Sequence, residues 1–253
     1  MLSDSDFMRY SRQLLLEEFG ADIQQKLHNS SVLIVGLGGL GSPAALYLAA
    51  AGVGKMLLAD DDRVHISNLQ RQILFRSDET GLPKTAAARQ HLLALNPQTE
   101  VITLDHRMEA TSLADTISSV DLVLDCSDNM ATRQAINAAC VQNATPLVSA
   151  SAVGFSGQLL VLTPPFLHGC YRCLWPDDAE PSRNCRTSGV LGPVVGIMGT
   201  MQALEALKML AGLTSALDGK LRLFDGRQQT WRTLNLERSS QCPLCGGRHE
   251  HRH

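Results

Sequence analysis

At 253 residues, with 44% hydrophobic and 19% charged residues, the sequence has the composition of an ordinary globular chain of one or two domains, which excludes intrinsic disorder and collagen. Lys and Arg number 22 against 25 Asp and Glu, a formal charge of −3, so no global basic field favours nucleic acid or an anionic membrane, and any anion must be held locally. The start, Met1-Leu2-Ser3-Asp4, has neither a basic leader nor an apolar block, and seven cysteines without a signal argue for metal or catalysis in a cytosolic setting over disulfides.

Phe7, Tyr10 and Leu14 recur at helical spacing and Gly20 closes the segment, so residues 4–19 are predicted to form one amphipathic helix with Arg9 and Arg12 off its apolar stripe. An apolar run at 32–35 leads into a glycine cluster and an alanine-rich helix at 43–51. A second strand, 56–59, ends at Asp60 and completes a β-α-β unit. Strands at 101–104, 122–124 and 147–149 alternate with helices at 84–95, 112–117 and 131–141. Such alternation predicts an α/β fold, a Rossmann-like doubly wound and mostly parallel sheet. A strand at 158–162 is followed by a Pro-, Asp-, Ser- and Arg-rich stretch, 176–189, read as a mobile crossover loop. Then come a helix at 194–210 and strands at 221–224 and 230–236, added antiparallel. The longest uncharged run, 187–204, is interrupted by Gly192, Pro193, Gly196 and Gly199 and reads as a buried helix, not a membrane span.

Gly36-Leu37-Gly38-Gly39-Leu40-Gly41 fits G-x-G-x-x-G between a buried strand and a helix, and Asp60 follows 24 residues after Gly36. Glycines let backbone N–H groups approach phosphate oxygens, and Asp60 can accept from ribose hydroxyls; a ligand-free turn and a solvated turn acid are the alternatives. That fingerprint alone suggests a nicotinamide dehydrogenase. However, Ser67-Asn68-Leu69-Gln70-Arg71-Gln72 and Pro83-Lys84 follow, and the long cations Arg71 and Lys84 suit a triphosphate better than a diphosphate already neutralised by backbone dipoles. No G-x-x-x-x-G-K-[ST] occurs, so a P-loop is excluded. The strand at 122–124 emerges into Asp125-Cys126-Ser127-Asp128-Asn129. Strands of a doubly wound sheet present their carboxyl ends to one crevice, so Asp128 is expected to face the same site and hold Mg2+ against the phosphates, or to cap the helix starting near Met130.

Cys170-Tyr171-Arg172-Cys173 and Cys242-Pro243-Leu244-Cys245 supply two pairs at thiolate-ligand spacing. Four sulfurs suit a closed, structural Zn2+ site that clips the chain end to the body. Cys126 and Cys140 read as packing residues. Cys185 lies in the predicted loop as Arg183-Asn184-Cys185-Arg186, where two cations should raise its thiolate fraction; an incidental thiol is the alternative. Gly192, Gly196 and Gly199 leave a nearly bare helix face for close approach of the sheet, a twofold-related helix or an extended Gly-Gly tail.

Together, the glycine motif, Asp60, the 67–72 segment, Lys84, the 125–129 segment and the two C-x-x-C pairs resemble the bacterial relatives of the ubiquitin-activating enzymes, the HesA/MoeB/ThiF superfamily. Within it the motifs are most similar to the branch serving thiamine biosynthesis. The resemblance runs from Arg9-Tyr10-Ser11-Arg12-Gln13 to Cys245; it departs in a His-bearing tail after Gly247 and in having no rhodanese-like extension. It implies an adenylyltransferase that uses ATP and Mg2+ to adenylate the C-terminal glycine carboxylate of a small ubiquitin-like sulfur carrier protein, releasing pyrophosphate. The nucleotide would then lie against Gly36, Gly38, Gly39 and Gly41, with Asp60 on the ribose. Ser67, Asn68, Arg71, Gln72 and Lys84 would close one side, and Ser127, Asp128 and Asn129 the other. By the same resemblance Arg12 reaches the nucleotide site of a homodimer partner, and Cys185 links covalently to the carrier and passes on sulfur from a donor protein. The nearest rival has the same fold and first reaction but a molybdopterin-synthase carrier; Cys185 between two arginines, with Trp175-Pro176 after the zinc pair, favours the thiamine branch. A nicotinamide oxidoreductase and a non-catalytic zinc scaffold are more distant readings. One domain, 1–253, is expected: a nucleotide half at about 1–150, a carrier, crossover-loop and zinc half at about 151–247, and a disordered tail at 248–253.

Overall fold

The computed structural model describes residues 2–108, 110–179 and 185–247, so the tail expected to be disordered lies outside the described residues. The chain opens with two short helices, α1 (Asp4–Arg9) and α2 (Ser11–Leu14), not the one helix expected over 4–19. Ser3 and Asp6 cap α1 reciprocally. The chain then turns at Tyr10, whose buried hydroxyl accepts from the Asn96 amide at 2.8 Å. Drawing Tyr10 inward leaves Phe7 about half exposed, so the heptad-like stripe is not a packed face. Gly20 does not end a helix; it caps the start of α3 (Ala21–Asn29). That helix has few apolar residues and is held partly by buried Gln24, whose amide donates to the Ala51 carbonyl at 2.9 Å.

There follow β1 (Ser31–Val35), α4 (Gly41–Ala51), β2 (Lys55–Ala59), two 3-10 turns (Ile66–Asn68 and Ser77–Glu79), α5 (Lys84–Leu95), β3 (Glu100–Leu104), α6 (Ala110–Ser118), β4 (Leu122–Asp125) and α7 (Met130–Asn143). The second half comprises β5 (Leu147–Val153), β6 (Ser156–Leu162), α8 (Tyr171–Leu174), α9 (Cys185–Ser188), α10 (Gly192–Leu210), β7 (Lys220–Asp225) and β8 (Thr230–Asn235). Thus α9 occupies part of the stretch expected to be loop; residues 180–184 lie outside the described residues. No helix of the described residues is long and apolar enough to cross a membrane.

All eight strands form one sheet, ordered β3-β2-β1-β4-β5-β6-β7-β8. The first five are parallel and the last three are added antiparallel, which the sequence predicts for β7 and β8 but not for β6. Alternation along the strands sends Val32, Ile34, Met56, Leu58 and Leu124 to one core, shared with α4, α5 and α10. Leu33, Val35, Leu57 and Val123 go to the other, shared with α6, α7 and the cysteine segments. The order reverses between β1 and β4, so the loops leaving these two strands diverge and open a crevice at their carboxyl ends. Val35 pairs in register with Asp125, which sets Gly36 beside Cys126 at the floor of that crevice. The bare face of α10 meets the crevice loops at two of its glycines, while a Cβ on Gly196 would have nothing within 4 Å. A Cβ on Gly192 would meet the Gln70 carbonyl at 2.5 Å and one on Gly199 the Leu40 carbonyl at 2.2 Å, so α10 packs against the loops that flank the crevice.

Candidate active site

The glycine turn after β1 is shaped first by the protein itself. Gly36 has φ +94°, in the left-handed region, and a Cβ there would lie 2.6 Å from the Cys126 carbonyl. A Cβ on Gly41 would meet the Gly36 carbonyl at 2.0 Å, and one on Gly39 would strike Val195 at 2.8 Å. Packing therefore requires these three glycines, a reason that stands beside the phosphate approach offered by the motif. Gly38 differs. Its nearest neighbour would be Gln72 Nε2 at 3.5 Å, and Gln72 is buried with its Oε1 lacking any hydrogen-bond partner. A buried amide with an unmade bond beside an open glycine backbone is the polar lining expected of a ligand site. Gly41→Ala should accordingly force the turn apart and lower Tm by on the order of 5 °C. Gly38→Ala should leave Tm unchanged but abolish the rise in Tm that Mg2+-ATP gives the parent; thermal melts with and without nucleotide distinguish the two.

Asp60 ties this turn to the end of β2, accepting from the Leu37 N–H at 2.7 Å and the Asp62 N–H at 2.9 Å. Burial raises its pKa, with Lys84 and those two amides pulling it back. Lys84, at the start of α5, is only 4% exposed, and its ammonium pairs with Asp62 at 2.9 Å. One partner leaves two N–H donors for an anion. Arg71 is brought to the same turn: its Cγ lies 3.4 Å from where a Gly39 Cβ would be, and its guanidinium donates to the Ser67 carbonyl at 3.1 Å. Ser67 and Asn68 spend part of their polarity locally, Ser67 Oγ against His65 Nδ1 at 2.8 Å and Asn68 Oδ1 accepting from the His65 N–H at 3.2 Å.

At the end of β4, Asn129 caps α7, its Oδ1 accepting from the Thr132 N–H at 2.9 Å. The capping role considered for Asp128 therefore belongs to its neighbour, and Asp128 stands exposed at the crevice end of β4. Ser127 is buried, its hydroxyl donating to Asp125 Oδ1 at 2.6 Å. Two organising residues escaped the sequence reading. Gln202 of α10, fully buried, donates to the Asp125 and Val148 carbonyls at 2.8 and 3.0 Å. Arg133 of α7 is buried against Asp125; the spacing of Asn129, Arg133 and Asn137, polar at every fourth residue, is the signal that was available. Burial, and then Asp125, push the Cys126 thiol well above the usual range, as suits a packing residue; burial does the same for Cys140.

Arg12 does not join this chain's crevice. The neighbouring Gln13 side chain donates to the Ala51 carbonyl at 3.1 Å, anchoring α2 at the far end of α4, which at 11 residues spans about 16 Å. Cys185 begins α9, and its side chain and that of Arg186 fall outside the described residues, as does Arg183. Just beyond, Gly154 N–H donates to Gly189 carbonyl at 2.8 Å, holding the end of the crossover to the β5–β6 turn. An apolar groove of about 420 Å³ adjoins it, lined by Phe155, Leu191, Pro193, Ile197, Phe224 and Trp231.

The four knuckle cysteines converge, their sulfurs all within 4.8 Å of one another. Cys170 and Cys242 are 3.7 Å apart, Cys173 and Cys245 3.4 Å. A tetrahedral site with Zn–S bonds of ~2.3 Å has S–S edges of about 3.8 Å, so the set fits zinc. Asn137 and the Ser239 N–H donate to Cys170 and Cys173 at 3.5 Å each, outer contacts that favour thiolate ligands.

A doubly wound α/β protein with a polar crevice at its topological switch point and a four-cysteine cluster is the class these features define. The ThiF family model matches residues 10–244. The chain is 61% identical over 246 residues to the sulfur carrier protein ThiS adenylyltransferase of Escherichia coli (strain K12), covering 97% of this chain and 98% of that one. It is 43% identical over 245 residues to the molybdopterin-synthase adenylyltransferase of the same organism, covering 97% and 98%. The crystal structure of E. coli MccB with ATP matches with a TM-score of 0.82 at 25% identity, over 94% of this chain and 73% of that one. The chain belongs to the ThiF family.

Proposed function

We propose that the chain adenylates the C-terminal glycine carboxylate of a ThiS-type, ubiquitin-like sulfur carrier protein with ATP, releases pyrophosphate, and passes sulfur on through Cys185 for thiazole formation in thiamine biosynthesis. The observation that carries this reading is the gathering of the open Gly38 backbone, unsatisfied Gln72, Asp60, Arg71 and Lys84 at one strand-end crevice, in a chain 61% identical to a ThiS adenylyltransferase.

The carrier's carboxylate is already ionised at neutral pH, so its attack on the α-phosphorus needs no general base. One carboxylate oxygen bonds to that phosphorus as its bond to the bridging oxygen breaks, and the electron pair leaves on pyrophosphate. The obstacle is repulsion between two anions. Lys84 and Arg71 screen the phosphates and stabilise the leaving group, the turn's N–H groups and Gln72 hold phosphate oxygens, and Asp60 orients the ribose. A carboxylate such as that of Asp128, on the exposed crevice end of β4, would suit a hard cation; bound Mg2+ would neutralise charge on the phosphates. Zn2+ in the cysteine set would be structural, its four positions filled by sulfur. Placement of α2 at the far end of α4 supports a homodimer in which Arg12 serves the other subunit's site. The apolar groove beside the crossover offers an apolar carrier surface a place to dock. We place the reaction in the cytoplasm, where ATP is abundant, with no nucleic-acid or membrane partner.

A molybdopterin-synthase carrier is the second reading, favoured less because identity to that relative falls to 43%. Intact-mass spectrometry of each purified carrier after incubation with the protein, Mg2+ and ATP decides between them. The ThiS-type carrier should gain one adenylyl group. With a persulfide donor present and no reductant, a persulfide formed on Cys185 should attack the carrier's acyl carbon and expel AMP, giving an enzyme–carrier acyl disulfide that Cys185→Ser abolishes while adenylation persists. Preferential adenylation of the molybdopterin-synthase carrier would move the assignment.

A further inference from the structure

One buried cation does not touch the proposed reactants, yet it is wired to their site. The Arg133 guanidinium donates to the Ala150 carbonyl at 2.9 Å and to the Ser127 carbonyl, and reaches Ser149 Oγ at 3.4 Å and Asp125 Oδ2 at 3.5 Å. Tyr171 lines the same small cavity as Arg133; burial opposes the charge of the guanidinium, but Asp125 and the Tyr171 hydroxyl favour it. Asp125 in turn accepts the Ser127 hydroxyl and N–H, at 2.6 and 3.0 Å, and the Ser149 hydroxyl at 2.7 Å. The turn that ends in Asp128 is thereby held on both its side-chain and backbone oxygens.

The other end of this network is the cysteine cluster. Tyr171 lies between Cys170 and Cys173, and its N–H donates to Asn137 Oδ1 at 2.9 Å, one helical turn along α7 from Arg133. Gln134 donates to the Trp175 carbonyl at 2.7 Å. So α7 is gripped by the knuckle on one side while its N-terminus carries the acid turn.

We propose that Arg133 is a positioning residue of the nucleotide site, locking the 125–128 turn to the cysteine knuckle through Tyr171. Its catalytic consequence rests on the adenylation reading; its structural part does not. The test uses the full-length, zinc-loaded protein as parent, Arg133→Lys and Tyr171→Phe. Hydrogen exchange of peptides spanning 125–129 should be about 10–100-fold faster in Arg133→Lys and intermediate in Tyr171→Phe, at unchanged zinc content. The magnesium concentration that half-saturates carrier-dependent ATP–pyrophosphate exchange should rise about 10-fold while the rate at saturating magnesium is largely kept. If Arg133→Lys does not fold, Tyr171→Phe, which retains the ring stack on Trp175, carries the same comparison. A turn that stays protected, or a loosened turn with an unchanged magnesium requirement, overturns the proposal. A parent protein without carrier-dependent exchange strikes the adenylation reading instead, and the protection data still decide whether Arg133 holds the turn.

Discussion

Asp128→Ala is expected to lower carrier-dependent ATP–pyrophosphate exchange by about 10²–10³-fold, the scale of losing one electrostatic contact to the transition state. Folding should change little, because Asp128 is a surface residue. Asp128 is exposed, and the cap of α7 that it might have supplied is made by Asn129. Its removal should therefore shift Tm by no more than about 2 °C, within the ±0.5 kcal/mol typical of surface substitutions. Asn129→Ala should show the opposite balance, costing about 1 kcal/mol of stability through the lost cap. Steady-state exchange and differential scanning calorimetry on the two variants separate the roles. Full exchange activity in Asp128→Ala would mean that adenylation does not depend on this carboxylate.

The second large effect belongs to the cysteine cluster. Cys242→Ser is expected to release the metal and lower Tm by roughly 10 °C, because zinc binding free energy is folding free energy and each kcal/mol moves Tm by about 2–4 °C at this size. The cluster joins the 236–245 segment to the body through buried Leu236, Cys242 and Cys245 packed against Phe166 and Tyr171. Without the metal, that end of the chain keeps only a small apolar contact. Elemental analysis should find one zinc per parent chain and none in Cys242→Ser. A variant without zinc that melts with the parent would mean that packing alone holds the segment.

The sheet was legible in the sequence because its central strands are covered on both faces, so 32–35, 56–59 and 122–124 read as continuous apolar runs. The crevice was legible for a related reason: the glycine turn, Asp60 and Asp128 follow strand ends, where a doubly wound topology dictates which side they face. What escaped depends on contacts distant in sequence. No local pattern announces that Gln24 will be buried under Ala51, so α3 was missed; none announces that Asn96 will draw Tyr10 inward and break the first helix. The reason for Gly39 lies in Val195, on a helix more than a hundred residues away. Arg133 and Gln202 bind carbonyls exposed by strands ending, acceptors that have no sequence signature.

Carrier-dependent exchange of labelled pyrophosphate into ATP tests most directly whether two anions are brought together in this crevice. With the purified ThiS-type carrier and Mg2+, label should appear in ATP, and it should vanish when the carrier or its terminal glycine is removed. No exchange with the intact carrier, or exchange at the same rate without it, would contradict carboxylate adenylation at this site.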